Sequence, residues 1–135
     1  MKIYFASASA NWPEVRKWMN LARVRGHEIT FDWTTMVEQH GRGEPLSTKH
    51  AILKEAAHKD RAGVYDCDVL INLWTNDQCG ALLETGMAIA HGKWVLIAAN
   101  SMLDIRYSVF WELNQIEQIS LSQLDTRLKD PSWKL

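Results

Sequence analysis

Two carboxylates, a tyrosine and a group of tryptophans fall where an α/β sheet would gather them. Glu84 sits inside CGALLETGMAIAHGKWVLI (79–97), which reads as a buried helix running into a buried strand. At about 100° per residue, Gly80, Ala81, Met87 and Ala88 surround Glu84, while Leu82, Leu83, Ile89 and Ala90 occupy the other sides. No solvated face is expected. An ionised carboxylate is costly there, so Glu84 must be paired, protonated or functional; the ordinary alternative is a helix-start glutamate solvated at a crevice rim. Asp60 repeats the pattern one helix earlier, on an arc with Ile52, Leu53, Ala56, Gly63 and Val64. It directs a second carboxylate toward the sheet, with a structural acceptor for backbone or tyrosine hydroxyls as its ordinary reading. Tyr4 lies in the first strand, and its hydroxyl can reach a carboxylate at the crevice. A tyrosine donor would fix the rotamer of Glu84 and tune its pKa, as a carboxylate nucleophile requires, although core packing is the commoner use of a strand tyrosine.

Seven Trp in 135 residues is an unusual count. Trp12, Trp33, Trp74 and Trp111 follow the expected strands 1 to 4, on the rim where a ligand would sit. There they either close the ends of the core and form subunit contacts, or stack a base at roughly 1–3 kcal/mol each. Trp33 and Trp74 are the strongest candidates for ligand contact. The turn ASASAN brings small residues and hydroxyls, Ser7 among them, to a point where a phosphate or sugar can approach, without a G-x-G-x-x-G or Walker pattern. His27, His40, His50, His58 and His91 make no metal-ligand spacing, so neither metal nor cofactor is expected.

The elements that must position these groups are legible from pattern. KIYFAS is a strand; Asn11 and Pro13 start a helix carrying Val15, Trp18, Met19 and Ala22, which Gly26 ends. HEITFDW alternates like an edge strand with one wet face. Thr34 to Leu46, with Gly41, Gly43 and Pro45, reads as a long loop, after which Ser47 caps a helix through about Tyr65. DVLINLW and KWVLIAA are continuous apolar runs, the mark of central parallel strands covered on both faces. A mixed segment follows from Asn100 to Gln115; IEQI is then a last strand and SLSQLDTRLKD a helix capped by Ser120. The order predicts a single α/β domain over 1–135: a flavodoxin-like, Rossmann-like doubly wound parallel sheet of five strands, order 2-1-3-4-5. In such sheets the ligand binds where the strand order reverses, here between strands 1 and 3.

Composition bounds the partners. A net charge of −1, with 47% apolar and 23% charged residues, gives no overall handle for a nucleic acid polymer or an anionic membrane. No apolar run approaches the ~20 residues that span a bilayer, and the N-terminus has no leader-like pattern. A cytoplasmic protein with reduced, packed thiols at Cys67 and Cys79 is expected.

KIYFASAS, GHEITFDW, HKDRAGVYDCDVLINLW and CGALLETGMAIAHGKWVLI together resemble the nucleoside 2-deoxyribosyltransferase family, including the related deoxynucleoside 5′-monophosphate N-glycosidases. The resemblance spans nearly the whole chain. It implies that Glu84 is the nucleophile attacking the anomeric carbon, that Tyr4 positions it, and that Asp60 contacts the base and assists its protonation. Transferases of the family carry an acidic residue six positions before the nucleophile to hold sugar hydroxyls; here Gln78 stands there, with Asp77 beside it. The nucleotide hydrolases place serine at that position and an Arg in the first loop, and ASASAN has no Arg. Ser108 corresponds to a phosphate-binding serine supplied by a neighbouring subunit in those hydrolases. Gly80 and Ala81 leave room for a sugar above the carboxylate. The resemblance therefore implies cleavage or transfer of an N-glycosidic bond in a nucleoside or nucleotide. It also implies a homodimer or larger assembly in which Asn100 to Asn114 reaches a neighbour. A nucleotide-binding or sensing module without catalysis is the alternative on the same fold.

Overall fold

In the computed structural model, which describes residues 1–40 and 46–130, β1 (Lys2–Ala6) leads through a 3₁₀ turn into α1 (Trp12–Val24). β2 (Glu28–Ile29), α2 (Thr34–His40), α3 (Leu46–Asp66), β3 (Val69–Leu73), α4 (Cys79–Ala90), β4 (Trp94–Ala99), β5 (Ile116–Ser120) and α5 (Leu121–Lys129) follow. All four strand pairings are parallel, in the order β2-β1-β3-β4-β5, so the expected sheet is the observed one. Helices cover both of its faces, and the solid apolar sequence of β3 is accordingly buried along its whole length.

Local chemistry sets the element ends. Gly26 (φ 88°) and Gly92 (φ 69°) take the left-handed turns after α1 and α4. Ser120 accepts from the Gln123 amide while the Gln123 side chain accepts from the Ser120 amide, a capping box that starts α5. Arg25 reaches Asp125 at 2.8 Å, tying the end of α1 to α5. Residues 102–104 and 109–112, within the mixed segment after β4, form 3₁₀ turns capped by Ser101 and Ser108.

Several expectations are corrected. The edge strand is only two residues long, because the chain leaves the sheet after Ile29 and turns Trp33 inward, where its Nε1 donates to the Phe5 carbonyl at 2.7 Å. The first half of the expected loop is α2. Asp32 starts it by accepting from the Thr34 backbone N–H at 3.0 Å and from the Thr34 hydroxyl, and Arg16 braces it through Glu38 at 2.7 Å. Gly41, Gly43, Pro45 and the Ser47 cap lie outside the described residues and side chains. Asn11 precedes α1 without capping it; its amide donates to Ser7 Oγ at 3.0 Å. α4 is not buried all round: Ala81, Thr85 and Ala88 face the sheet, while Leu82 and Leu83 are exposed. Cys67 is buried as expected, but Cys79, the first residue of α4, is exposed. Among the described residues, no helix is long and apolar enough to cross a membrane.

Candidate active site

The site is assembled by β1, α3 and α4. Tyr4 is fully buried in the middle of β1, and its hydroxyl donates to Glu84 Oε2 on α4. Two features set this meeting. On α3, Gly63 lies so close to the Tyr4 ring that a Cβ added there would be 3.0 Å from Tyr4 Cδ2 and 2.9 Å from Phe31 Cβ. On α4, Thr85 anchors the helix to the sheet: its hydroxyl donates to the Ala81 carbonyl at 2.7 Å and accepts from Asn72 Nδ2 of β3 at 3.1 Å. With Thr85 held against β3, the preceding Glu84 turns toward β1 and α3.

Electrostatics follow from that burial. Removal from water pushes the Glu84 carboxyl up to about 8; the Tyr4 hydrogen bond pulls it down and the nearby Asp60 charge pushes it further up. Burial also raises Asp60, to about 6, with Tyr4 opposing the rise. The Tyr4 phenol is driven far above its usual range by burial and then by the two carboxylates. A single phenolic proton thus serves a site with two carboxyl groups, and Asp60 Oδ1 is a buried atom with no hydrogen-bond partner among the described residues.

Above these groups opens a cavity of about 830 Å³ at the carboxyl ends of β1 and β3, the predicted place. Glu84, Asp60, Ser7, Trp33, Asp77, Gln78 and Gly80 all line it, and Tyr4 lies beneath it. Ser7 is itself fixed, donating to the Leu73 carbonyl at 2.7 Å. Gln78 is 4% exposed; its Nε2 donates to the Thr75 carbonyl at 2.6 Å, and its Oε1 has no partner among the described residues. Gly80 has nothing within 4 Å of its added Cβ, so space lies open over the first turn of α4.

Trp74 and Ser108 are not brought to this cavity. They line a second one, of about 470 Å³, on the far side of α4, where Trp74 meets Trp111 edge-on at 6.4 Å. Trp74 points there because β3 delivers it beside the 3₁₀ turns after β4. Trp12 is occupied by the Arg16 guanidinium, 4.7 Å above its ring. Sequence reasoning did not assign Met36, Val37, Ala57 or Arg61 to the site, nor Met87, which it set beside Glu84 without a role; all five line the main cavity. The first two were hidden by reading α2 as a loop; Arg61 and Met87 were within reach of the argument, being one and three residues from Asp60 and Glu84. Among the described residues, no three His, Cys, Asp or Glu side chains converge as metal ligands would.

The fold is similar to that in a solved structure described as Clostridium botulinum CMP N-glycosidase, BcmB, with a TM-score of 0.63 over 93% of this chain and 99% of that one. Sequence identity in that match is 14%, which establishes likeness of fold. No protein-family model and no curated protein matches the sequence.

Proposed function

We propose that the chain cleaves or transfers the N-glycosidic bond of a nucleoside or nucleoside 5′-monophosphate, with Glu84 as nucleophile. The observation that carries this reading is the Tyr4–Glu84 hydrogen bond under a cavity that a second carboxyl group, Asp60, also lines. The fold neighbour, described as a CMP N-glycosidase, supports the same reaction class.

In this reading the ionised Glu84 attacks the anomeric carbon from below while the bond to the base nitrogen breaks and its electron pair leaves with the base. Asp60 supplies a proton to the departing base. Tyr4 holds the attacking carboxylate in one rotamer. Water, or a second base in a transfer reaction, then attacks the same carbon and frees Glu84. With Asp60 near 6 and Glu84 near 8, the unliganded pair holds one proton and one negative charge around neutrality, with the proton on Glu84, so in this reading the proton passes from Glu84 to Asp60 before Glu84 attacks.

The assembly is proposed to be a homodimer or larger. Between β4 and β5, Leu103 is 95% exposed and Tyr107 76%, and Met102, Val109 and Phe110 are also exposed, a density of apolar surface that a second copy would cover. Size-exclusion chromatography with light scattering tests it, and a monomer at micromolar concentration would refute it.

The catalytic claim is tested by incubating the protein with nucleosides and their 5′-monophosphates, with and without acceptor bases, and separating free from exchanged base by chromatography. Base release that Glu84→Ala abolishes is the expected result. Equal release by that variant, or none across the panel, would sink the enzymatic claim; binding without turnover would establish a nucleotide-sensing module instead.

A further inference from the structure

We propose that Arg16, which does not itself line the main cavity, is a positioning residue for the substrate's base: it clasps α2 to α1 and so holds Met36 and Val37 as the wall against which the base must fit. This rests on the N-glycosidic reading of the same cavity and assigns that cavity a selectivity device.

α2 depends on its neighbours. It is seven residues long, and isolated helices shorter than about 12 residues are marginal in water. Thr34, fully buried, and Val37, packed on the core, seat it. Arg16 meets its first and fifth residues: Nε donates to Thr34 Oγ1 at 3.2 Å, and the guanidinium pairs with Glu38 at 2.7 Å. The guanidinium carbon also lies 4.7 Å above the ring of Trp12, the first residue of α1. One planar group thus makes three contacts at once. Lysine, a single ammonium on a flexible stem, cannot make all three in one geometry.

What the clasp holds is suited to a base. Met36 and Val37 present apolar surface to the cavity, as do Ala57 and Trp33. Apolar side chains leave a sugar hydroxyl or a phosphate without partners but fit the face and edges of a base. Asp60, which in the proposed reaction protonates the base, lines the same cavity from α3. Trp12 directly follows the turn Ser9–Asn11, whose residues also line the cavity, so Arg16 couples two parts of its rim. The Arg16 and Glu38 side chains are 29% and 49% exposed, and ion pairs so open to water add little to global stability. Loss of the clasp should therefore move the wall before it melts the fold.

The test measures base release by wild type, Arg16→Ala and Arg16→Lys on the common ribonucleosides, deoxynucleosides and their 5′-monophosphates. Expected for Arg16→Ala are a KM about 10-fold higher on the best substrate, a kcat within about 2-fold, and a spread of kcat/KM between bases narrowed about 10-fold. Arg16→Lys should recover part of each loss. A fall in kcat and Tm with KM and base selectivity unchanged would overturn the proposal and leave Arg16 a structural residue. Amide hydrogen exchange reads the clasp without substrate: residues 34–40 should exchange about 10-fold faster in Arg16→Ala, while β3 and α4 keep their protection. Equal protection of α2 in both proteins would overturn the proposal as well. Should Arg16→Ala not fold, Glu38→Gln, which removes only the ion pair, carries the same comparison. Calorimetric binding of the panel on a Glu84→Gln background separates the two readings. Weaker and less selective binding after Arg16→Ala upholds the clasp even where no base is released, a result that counts against the glycosidic reading alone; binding of none of the panel counts against both.

Discussion

Tyr4 and Glu84 are 80 residues apart in the chain, yet the phenol of the first donates to the carboxyl of the second beneath the main cavity. Neither group is placed by its own element alone: β1 supplies the phenol, Thr85 fixes the turn of α4 that presents Glu84, and Gly63 lets α3 close over the ring. The Glu84 carboxyl is half-buried, with a neutral donor and a second carboxyl beside it, and no described cation pairs with it. Holding a charge in such a setting costs stability.

Tyr4→Phe removes the hydroxyl and keeps the ring. The hydrogen bond lowers the pKa of Glu84, so its loss moves that pKa further above 8. If Glu84 attacks as an anion, base release at pH 7 should fall about 10- to 100-fold, the worth of a hydrogen bond to a charged group. The acidic limb of the pH–rate profile should shift upward. An unchanged limb with a lowered rate would assign Tyr4 to packing.

Gly63→Ala tests the packing beneath the site. The new methyl would lie 2.9 Å from Phe31 Cβ and 3.0 Å from the Tyr4 ring, so α3 or the ring must move. Destabilisation of about 1–3 kcal/mol is expected, measured by denaturant titration, because core overpacking has that cost. Base release should fall by more than Tm alone predicts, since the moving ring carries the hydroxyl. Wild-type stability would show that α3 shifts freely.

Trp33→Phe separates two uses of one side chain. Its Nε1 donates to the Phe5 carbonyl at 2.7 Å, a bond the variant cannot make, and leaving that carbonyl unpaired should cost roughly 1–2 kcal/mol. Trp33 also lines the main cavity. Weaker nucleoside binding beyond the stability loss, read by calorimetry, would mark it as a stacking surface for the base; unchanged binding would confine it to the core.

Much of this was legible in the sequence because it depends on pattern. The solid apolar runs of β3 and β4, the helical spacing of Val15, Met19 and Ala22, and the Ser120 cap identify elements whatever surrounds them. Glu84, Asp60 and Tyr4 stood out because buried carboxylates contradict their surroundings. What was not legible depends on tertiary contact. α2 is seven residues long, begun by Asp32 and braced by Arg16 from α1, and neither contact has a periodic signature. Trp74 and Ser108 occupy the second cavity because the segment after β4 folds back beside β3, a path that irregular sequence does not encode locally.

The carboxyl pair should also make stability fall as pH rises. Glu84 titrates near 4.5 when unfolded and near 8 when folded, and Asp60 near 3.8 and near 6. Between those values the folded state binds more protons than the unfolded one, so their contribution is full below about pH 4 and is lost progressively up to about pH 8. Glu84→Gln keeps an acceptor for the Tyr4 hydroxyl and never ionises. It should therefore be more stable than wild type at pH 8, by roughly 2 kcal/mol once partial solvent access is allowed for, and nearly equal to it at pH 4. Thermal melts of the two proteins across that range measure the difference directly. A gap that stayed constant with pH, or that widened toward acid, would mean that Glu84 is not held protonated in the folded protein.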